Sequence, residues 1–156
     1  MSKAIIEHDF RSTTRTLDEV MVGDALPELV VPLTRTLIVS TALASRDYQD
    51  VHHDGQLAVE RGSKDIFMNI LSTNGLVGRY VTDWAGPGAV LTDVIRLGAP
   101  NYPDDTMILT GSVTAKDDTI DADGRGAVEV TLTGANGLGD HVTGTVRLLL
   151  PAGGAR

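Results

Sequence analysis

SKDIFMNILSTNGLVGRYVTDW, the run from Ser63 to Trp84, decides the fold. Its apolar residues Ile66, Phe67, Met68, Ile70, Leu71, Leu76, Val77, Tyr80 and Val81 spread over more than one stripe of a helix with 3.6 residues per turn. A helix that is apolar over most of its circumference has to be enclosed. Ser63 suits the N-cap, and Asp65 in the first turn complements the helix dipole. Gly75 and Gly78 lie three apart and leave one flank without side chains, where another backbone can come close. Gly86-Pro87-Gly88 ends the element.

Outward from this helix the chain changes period. Ala89–Leu97, Asp105–Ala115, Gly126–Gly134 and Asp140–Leu150 are rich in β-branched residues, alternate in polarity and are separated by polar or glycine-containing turns, the pattern of an antiparallel meander. On the amino-terminal side, turn residues at Gly23-Asp24 and Pro27 precede the β-rich Thr34–Val39, read as a strand. A short Ala-rich helix follows, and then a helical turn over Gln56–Arg61 that Gly62 stops. One enclosed helix with one strand before it and four after it predicts an α+β domain of the hot-dog kind, a curved antiparallel sheet wrapped around a central helix. Residues 1–21 show no clear period and read as an arm, either disordered or laid on a partner. The domain is expected over 22–151, with a short tail at 152–156.

The 156 residues suffice for one core. A net charge of −8 disfavours nucleic acid, whose binding relies on phosphate neutralisation. The chain has no cysteine, which removes disulfides and thiol catalysis. No apolar run approaches the ~20 residues of a membrane span, and the first residues lack the basic start and apolar core of a secretory signal. A cytoplasmic protein with neither membrane nor nucleic-acid partner is the expectation.

Chemistry concentrates in SRDYQDVHHD, Ser45 to Asp54, which holds two of the four histidines and three carboxylates. On a continuous helix Asp47 and His52 would stand about 140° apart, so the segment must bend for them to share a substrate. Short polar residues around them favour a bend. Other patterns fail. Thr119–Gly124 imitates part of a calcium loop, but Thr119 replaces the first carboxylate and Val130 the bidentate Glu; it reads as a hairpin turn. Gly124-Arg125-Gly126 and Gly134–Gly139 do not open a helix after a strand, so they are turns rather than phosphate cradles. His8 and His141 lack partners at ligand spacing, and adjacent His52 and His53 point apart, so no metal site is expected. On residue types alone, Asp47 and His52 are balanced between a water-activating pair and a loop Asp beside a surface His.

Asp-x4-His followed by a hot-dog helix and antiparallel strands resembles the MaoC-like (R)-specific enoyl-CoA hydratases, over roughly residues 22 to 150. IVSTALASRDYQDVHHD, GSKDIF-N-IL, GLVGRYVTDWAGP and LGDHVTGTV are similar to the small subunit of the heteromeric hydratases that act on steroid side chains. The resemblance implies that Asp47 and His52 hold and activate one water, which adds at C3 of a trans-2-enoyl-CoA while C2 is protonated. In the family a His-Gly pair begins the central helix and its glycine N–H receives the thioester oxygen. That pair is matched here to Asp65-Ile66, so the Ile66 N–H is the expected donor. The family's serine further along the helix is matched to Asn74. No cofactor is implied beyond the CoA of the substrate. A single hot-dog unit implies a larger partner with a MaoC-like domain, in a heterodimer or heterotetramer with room for a ring-bearing acyl group. Arg61, Lys64, Arg79 and Arg96 are candidates for the CoA phosphates. Two rivals are a hot-dog thioesterase, many of which carry a carboxylate within the central helix where Asn69 and Asn74 stand, and a non-catalytic scaffold subunit.

Overall fold

Alternation along the carboxy-terminal half builds the sheet that the rest of the chain packs into. In the computed structural model, which describes residues 11–153, β1 is Ala25–Leu33, β2 Val90–Leu97, β3 Asp105–Asp117, β4 Arg125–Asn136 and β5 Gly139–Pro151. They form one antiparallel sheet in the order β1-β3-β4-β5-β2. Among the described residues three α-helices, α1 (Arg35–Ala44), α2 (Gly55–Glu60) and α3 (Ile70–Ala85), and two short 3₁₀ turns complete the fold. His8 and the first ten residues of the expected arm, with 154–156 of the tail, lie outside the described residues.

The first strand lies earlier than expected. Thr34–Val39 is not a strand: Thr34 caps α1, its hydroxyl accepting the Leu37 N–H at 3.0 Å. The strand before it carries Pro27 and Pro32, which lack the N–H a central strand must donate. β1 tolerates them because it is an edge strand, and its register with β3 shifts between Leu26 and Leu29, around Pro27. Its alternation is plain all the same, with Leu29, Val31 and Leu33 buried and Val30 exposed.

Helix α3 begins seven residues later than Ser63. Residues 63–69 are held out of the helix by tertiary hydrogen bonds, Phe67 N–H to Val51 O and Met68 N–H to Asn101 O, each 3.0 Å. The Ser63 hydroxyl donates to Asp65 O instead of capping. Asn69 is the cap, its side chain accepting the Ser72 N–H. From there Leu76, Val77, Tyr80, Val81 and Trp84 join Leu29, Met107, Leu109, Val130, Leu132, Val146 and Leu148 in one core cluster. Enclosure is incomplete: Ile70 and Leu71 are 52% and 50% exposed, and a Cβ added at Gly75 or Gly78 would meet nothing.

The described part of the expected arm lies on the domain itself. The last carbonyls of a helix have no intrahelical donors, and residues 11–15 supply them. Arg11 N–H reaches Asp83 O at 3.2 Å, Arg15 N–H reaches Ala85 O at 2.7 Å, and Arg15 Nε donates to Trp84 O at 2.9 Å. The Arg15 guanidinium also lies 4.9 Å from the Trp84 ring centroid. Beyond this strap Leu17 and Val20 enter the core. Gly86 makes the crossing sterically feasible: its φ is +97°, and a Cβ there would fall 2.4 Å from Thr14 Cα.

Candidate active site

The bend required between Asp47 and His52 starts at the end of α1. Arg46 N–H bonds Leu43 O and Asp47 N–H bonds Ala42 O, both 3.0 Å, which is a Schellman motif. The left-handed position that glycine usually takes in it is held by Arg46, at φ 57°. Asp47 is thereby pinned by its own backbone to the helix end. A 3₁₀ turn over Asp50–His52 then swings His52 back. Asp50 pairs with Arg61 at 2.5 Å, and Asp54 caps α2 by accepting from the Gln56 and Leu57 amides. Those two carboxylates therefore shape the loop, and His53 is exposed.

This geometry brings His52 Nε2 to 3.4 Å from Asp47 Oδ2. The other ring nitrogen, Nδ1, is 2.7 Å from Phe67 O. A carbonyl can only accept, so Nδ1 carries the proton and Nε2 of the neutral ring is left with a lone pair. The ring is buried and sits edge-on to Phe67, centroids 5.0 Å apart. The Asn69 side-chain N–H holds the Asp47 pKa below the usual carboxylate value, against a smaller opposing effect of burial and with the Gln49 amide helping. Two acceptors at this spacing suit one water that sits to one side of both and donates to each.

Asn69 connects the pair to α3. Its Nδ2 donates to Asp47 Oδ2 and to Ser45 Oγ, each 2.9 Å. Among the first amides of α3, Ser72 N–H is taken by Asn69 Oδ1 and Thr73 N–H by Asn69 O. Those of Ile70 and Leu71 meet no acceptor among the described residues, the arrangement that makes a helix amino end receptive to negative charge. An open cleft of about 320 Å³ runs from Ser45 and Ser72 between α1 and α3, lined also by Thr41, Ala44, Leu71, Gly75 and Leu76.

No protein-family model matches the sequence. The beta subunit of the 3-oxo-4,17-pregnadiene-20-carboxyl-CoA hydratase of Mycobacterium tuberculosis is 55% identical over 129 residues, 82% of this chain and 95% of that protein. The chain belongs to the MaoC-like enoyl-CoA hydratase family. A chain of the ChsH1-ChsH2 complex of Mycobacterium tuberculosis superposes with a TM-score of 0.77 at 54% identity, covering 83% of this chain and 98% of that one. A MaoC-like dehydratase from Rhodospirillum rubrum shares the fold at 17% identity, with a TM-score of 0.74 over 90% of this chain and 99% of its own.

The two residues matched to the family's other site positions, Ile66 and Asn74, take different places in the structure. Ile66 lies four residues before α3 and is fully buried, and its N–H donates to Asp65 Oδ1 at 2.7 Å. Asp65 is in turn forked by Arg35 at 3.0 and 2.6 Å. Asn74 lies on the exposed flank of α3, and the asparagine that reaches Asp47 is Asn69. Ser63 and Asp65 imitate a helix start that the structure places at Asn69. The signal that was passed over is Asn69 itself, a strong N-cap residue three before a serine. Of the cations considered for CoA, Arg61 and Arg79 are bound to Asp50 and Asp83. Lys64 lies 5.7 Å from the Tyr102 ring centroid, and Arg96 is exposed on the β2 edge.

Proposed function

We propose that this chain is the catalytic subunit of a heteromeric enoyl-CoA hydratase acting on a steroid side-chain thioester, with Asp47 and His52 activating water. The observation that carries the reading is the convergence of the Asp47 carboxylate and the lone pair of His52 Nε2 beside the amino end of α3. A water donating to both is deprotonated as its oxygen bonds to C3; the C2–C3 π electrons move toward the thioester carbonyl, and C2 then takes the proton back. Such positioned acid–base help contributes about 10²–10⁴-fold. Enolate charge developing on the thioester oxygen is met by the α3 amides of Ile70 and Leu71, in the role first matched to Ile66. A preorganised donor of this kind is worth about 10²–10³ in rate.

The relative from Mycobacterium tuberculosis, a beta subunit by name, supports a partner, and so do two surfaces of this chain. The Gly75 and Gly78 flank of α3 is open, and the edge strand β2 exposes Val94 and Leu97. A larger MaoC-domain subunit covering them would close the cleft over the acyl group, in a heterodimer or heterotetramer. Lys64 and Arg96 are the cations best placed for the CoA phosphates. The reaction needs no cofactor, and among the described residues no cluster of three metal-ligating side chains occurs. No helix among them is long and apolar enough to cross a membrane.

Pull-down from the native cell followed by assays with short-chain and steroid-type trans-2-enoyl-CoAs tests the reading. The expected result is loss of enoyl absorbance with the thioester intact. Release of free CoA together with the unsaturated acid, and no hydroxyacyl-CoA, would instead establish a thioesterase.

A further inference from the structure

We propose that Asn69 is a positioning residue that locks the Asp47 carboxylate to the amino end of α3, so that the water-activating pair and the helix amides are held in one register. The inference deepens the hydratase reading and rests on it for its catalytic consequence. Asn69 is only 3% exposed, and its amide has every bond it can make. Nδ2 spends its two protons on Asp47 Oδ2 and Ser45 Oγ. Oδ1 receives the Ser72 N–H at 2.9 Å and the Ser72 hydroxyl. The opposite orientation would set Oδ1 against a carboxylate and Nδ2 against an N–H, so the network itself fixes which end is which.

Three elements meet in this one side chain. Ser45 is the C-cap of α1, Asp47 follows it in the Schellman motif, and Ser72 belongs to the first turn of α3. A shift of α3 along its axis would therefore pull Asp47 with it, and a swing of Asp47 would break the cap. Ser45 is itself fixed, its hydroxyl donating to Thr41 O or Ala42 O at 2.9 and 3.0 Å. Around Asp47, α1 presents Ser45 and α3 presents Asn69, both uncharged; the titratable group facing it is His52. The cap and the carboxylate contact are separable, because serine caps a helix about as well as asparagine but is too short to reach Asp47.

Asn69→Ser in the assembled complex provides the test. Thermal midpoint and assembly are expected to stay close to wild type. kcat is expected to fall about 10²-fold, the cost of misplacing a reacting group by about 1 Å, with KM changed far less. The Asp47 carboxyl titrates at higher pH, since it loses the donor that favours its charged form. Asn69→Asp keeps the cap and adds a like charge, which raises that titration further. Wild-type kcat with an unmoved Asp47 titration in Asn69→Ser would overturn the proposal and leave Asn69 as a helix cap. A ¹³C NMR titration of the Asp47 carboxyl decides the matter without turnover. An upward shift in Asn69→Ser supports the lock even if the wild-type complex fails to hydrate, a failure that would count against the functional reading alone. Coincident titrations would refute the lock.

Discussion

Gly86→Ala should lift the amino-terminal strap off α3. Gly86 sits at φ 97°, ψ 166°, a region essentially reserved for glycine that costs an L residue roughly 1–3 kcal/mol, and the new Cβ would fall 2.4 Å from Thr14 Cα and 2.5 Å from Thr13 O. Both are backbone atoms with nowhere to go while Arg11 and Arg15 hold the helix carbonyls, so the strap must leave. Its departure exposes Leu17, worth about 1.5–3 kcal/mol, and ends the hydrogen bonds from Arg11 N–H and Arg15 N–H, each worth about 0.5–1.5 kcal/mol net. Together these losses amount to several kcal/mol, against a typical stability of about 5–15 kcal/mol. At about 2–4 °C per kcal/mol, the unfolding midpoint falls by about 10 °C or more. Trp84 supplies the assay. It is the chain's single tryptophan, is 7% exposed and lies beneath Arg15, so its emission shifts to the red when the strap leaves. Unchanged emission together with a midpoint within a degree of wild type would refute the placement of the strap.

Two further outcomes follow from the site and its supports. Arg46→Gly relieves the left-handed strain next to Asp47, and after the entropy that glycine adds to the unfolded chain, about 0.4–1 kcal/mol, it should stabilise by about 0.5–1 kcal/mol with activity kept; thermal unfolding and a hydration assay check both. His141 is buried between Ala99 O at 2.6 Å and Thr73 Oγ1 at 2.8 Å, and burial lowers its pKa despite the Ala99 carbonyl, which favours the protonated ring. The unfolded chain therefore binds this proton more readily, so the stability His141 contributes is present above the ordinary histidine pKa of about 6.5 and is lost as pH falls through the lower folded value. Midpoints measured from pH 7 down to pH 5 should fall less steeply in His141→Gln than in wild type.

Much of this architecture could be read from the sequence because it rests on local periodicity. β2 to β5 alternate polar and apolar residues and end at turn residues, and their observed bounds differ from the reading by only a few positions. β1 was misplaced because prolines argue against a strand, and only its edge position makes Pro27 and Pro32 tolerable. The start of α3 was misplaced for the opposite reason. Ser63 and Asp65 satisfy local capping rules, but hydrogen bonds to Val51 and Asn101, distant in sequence, keep residues 63–69 out of the helix. The juxtaposition of Asp47 and His52 was expected from the family resemblance, since spacing alone left it open. Their link to Asn69 was not, since it depends on where α3 begins. The incomplete burial of α3 was hidden too, because hydrophobicity alone does not tell a core face from one that awaits a second chain.

Water activation by Asp47 and His52 is the central claim, and hydration of a trans-2-enoyl-CoA by the purified complex, followed through enoyl absorbance, tests it most directly. Asp47→Asn and His52→Ala should each lower the rate by about 10²-fold or more, with the complex still assembled by size-exclusion chromatography. An assembled complex carrying either substitution and hydrating at the wild-type rate would contradict the claim and leave this chain as a scaffold for chemistry performed by its partner.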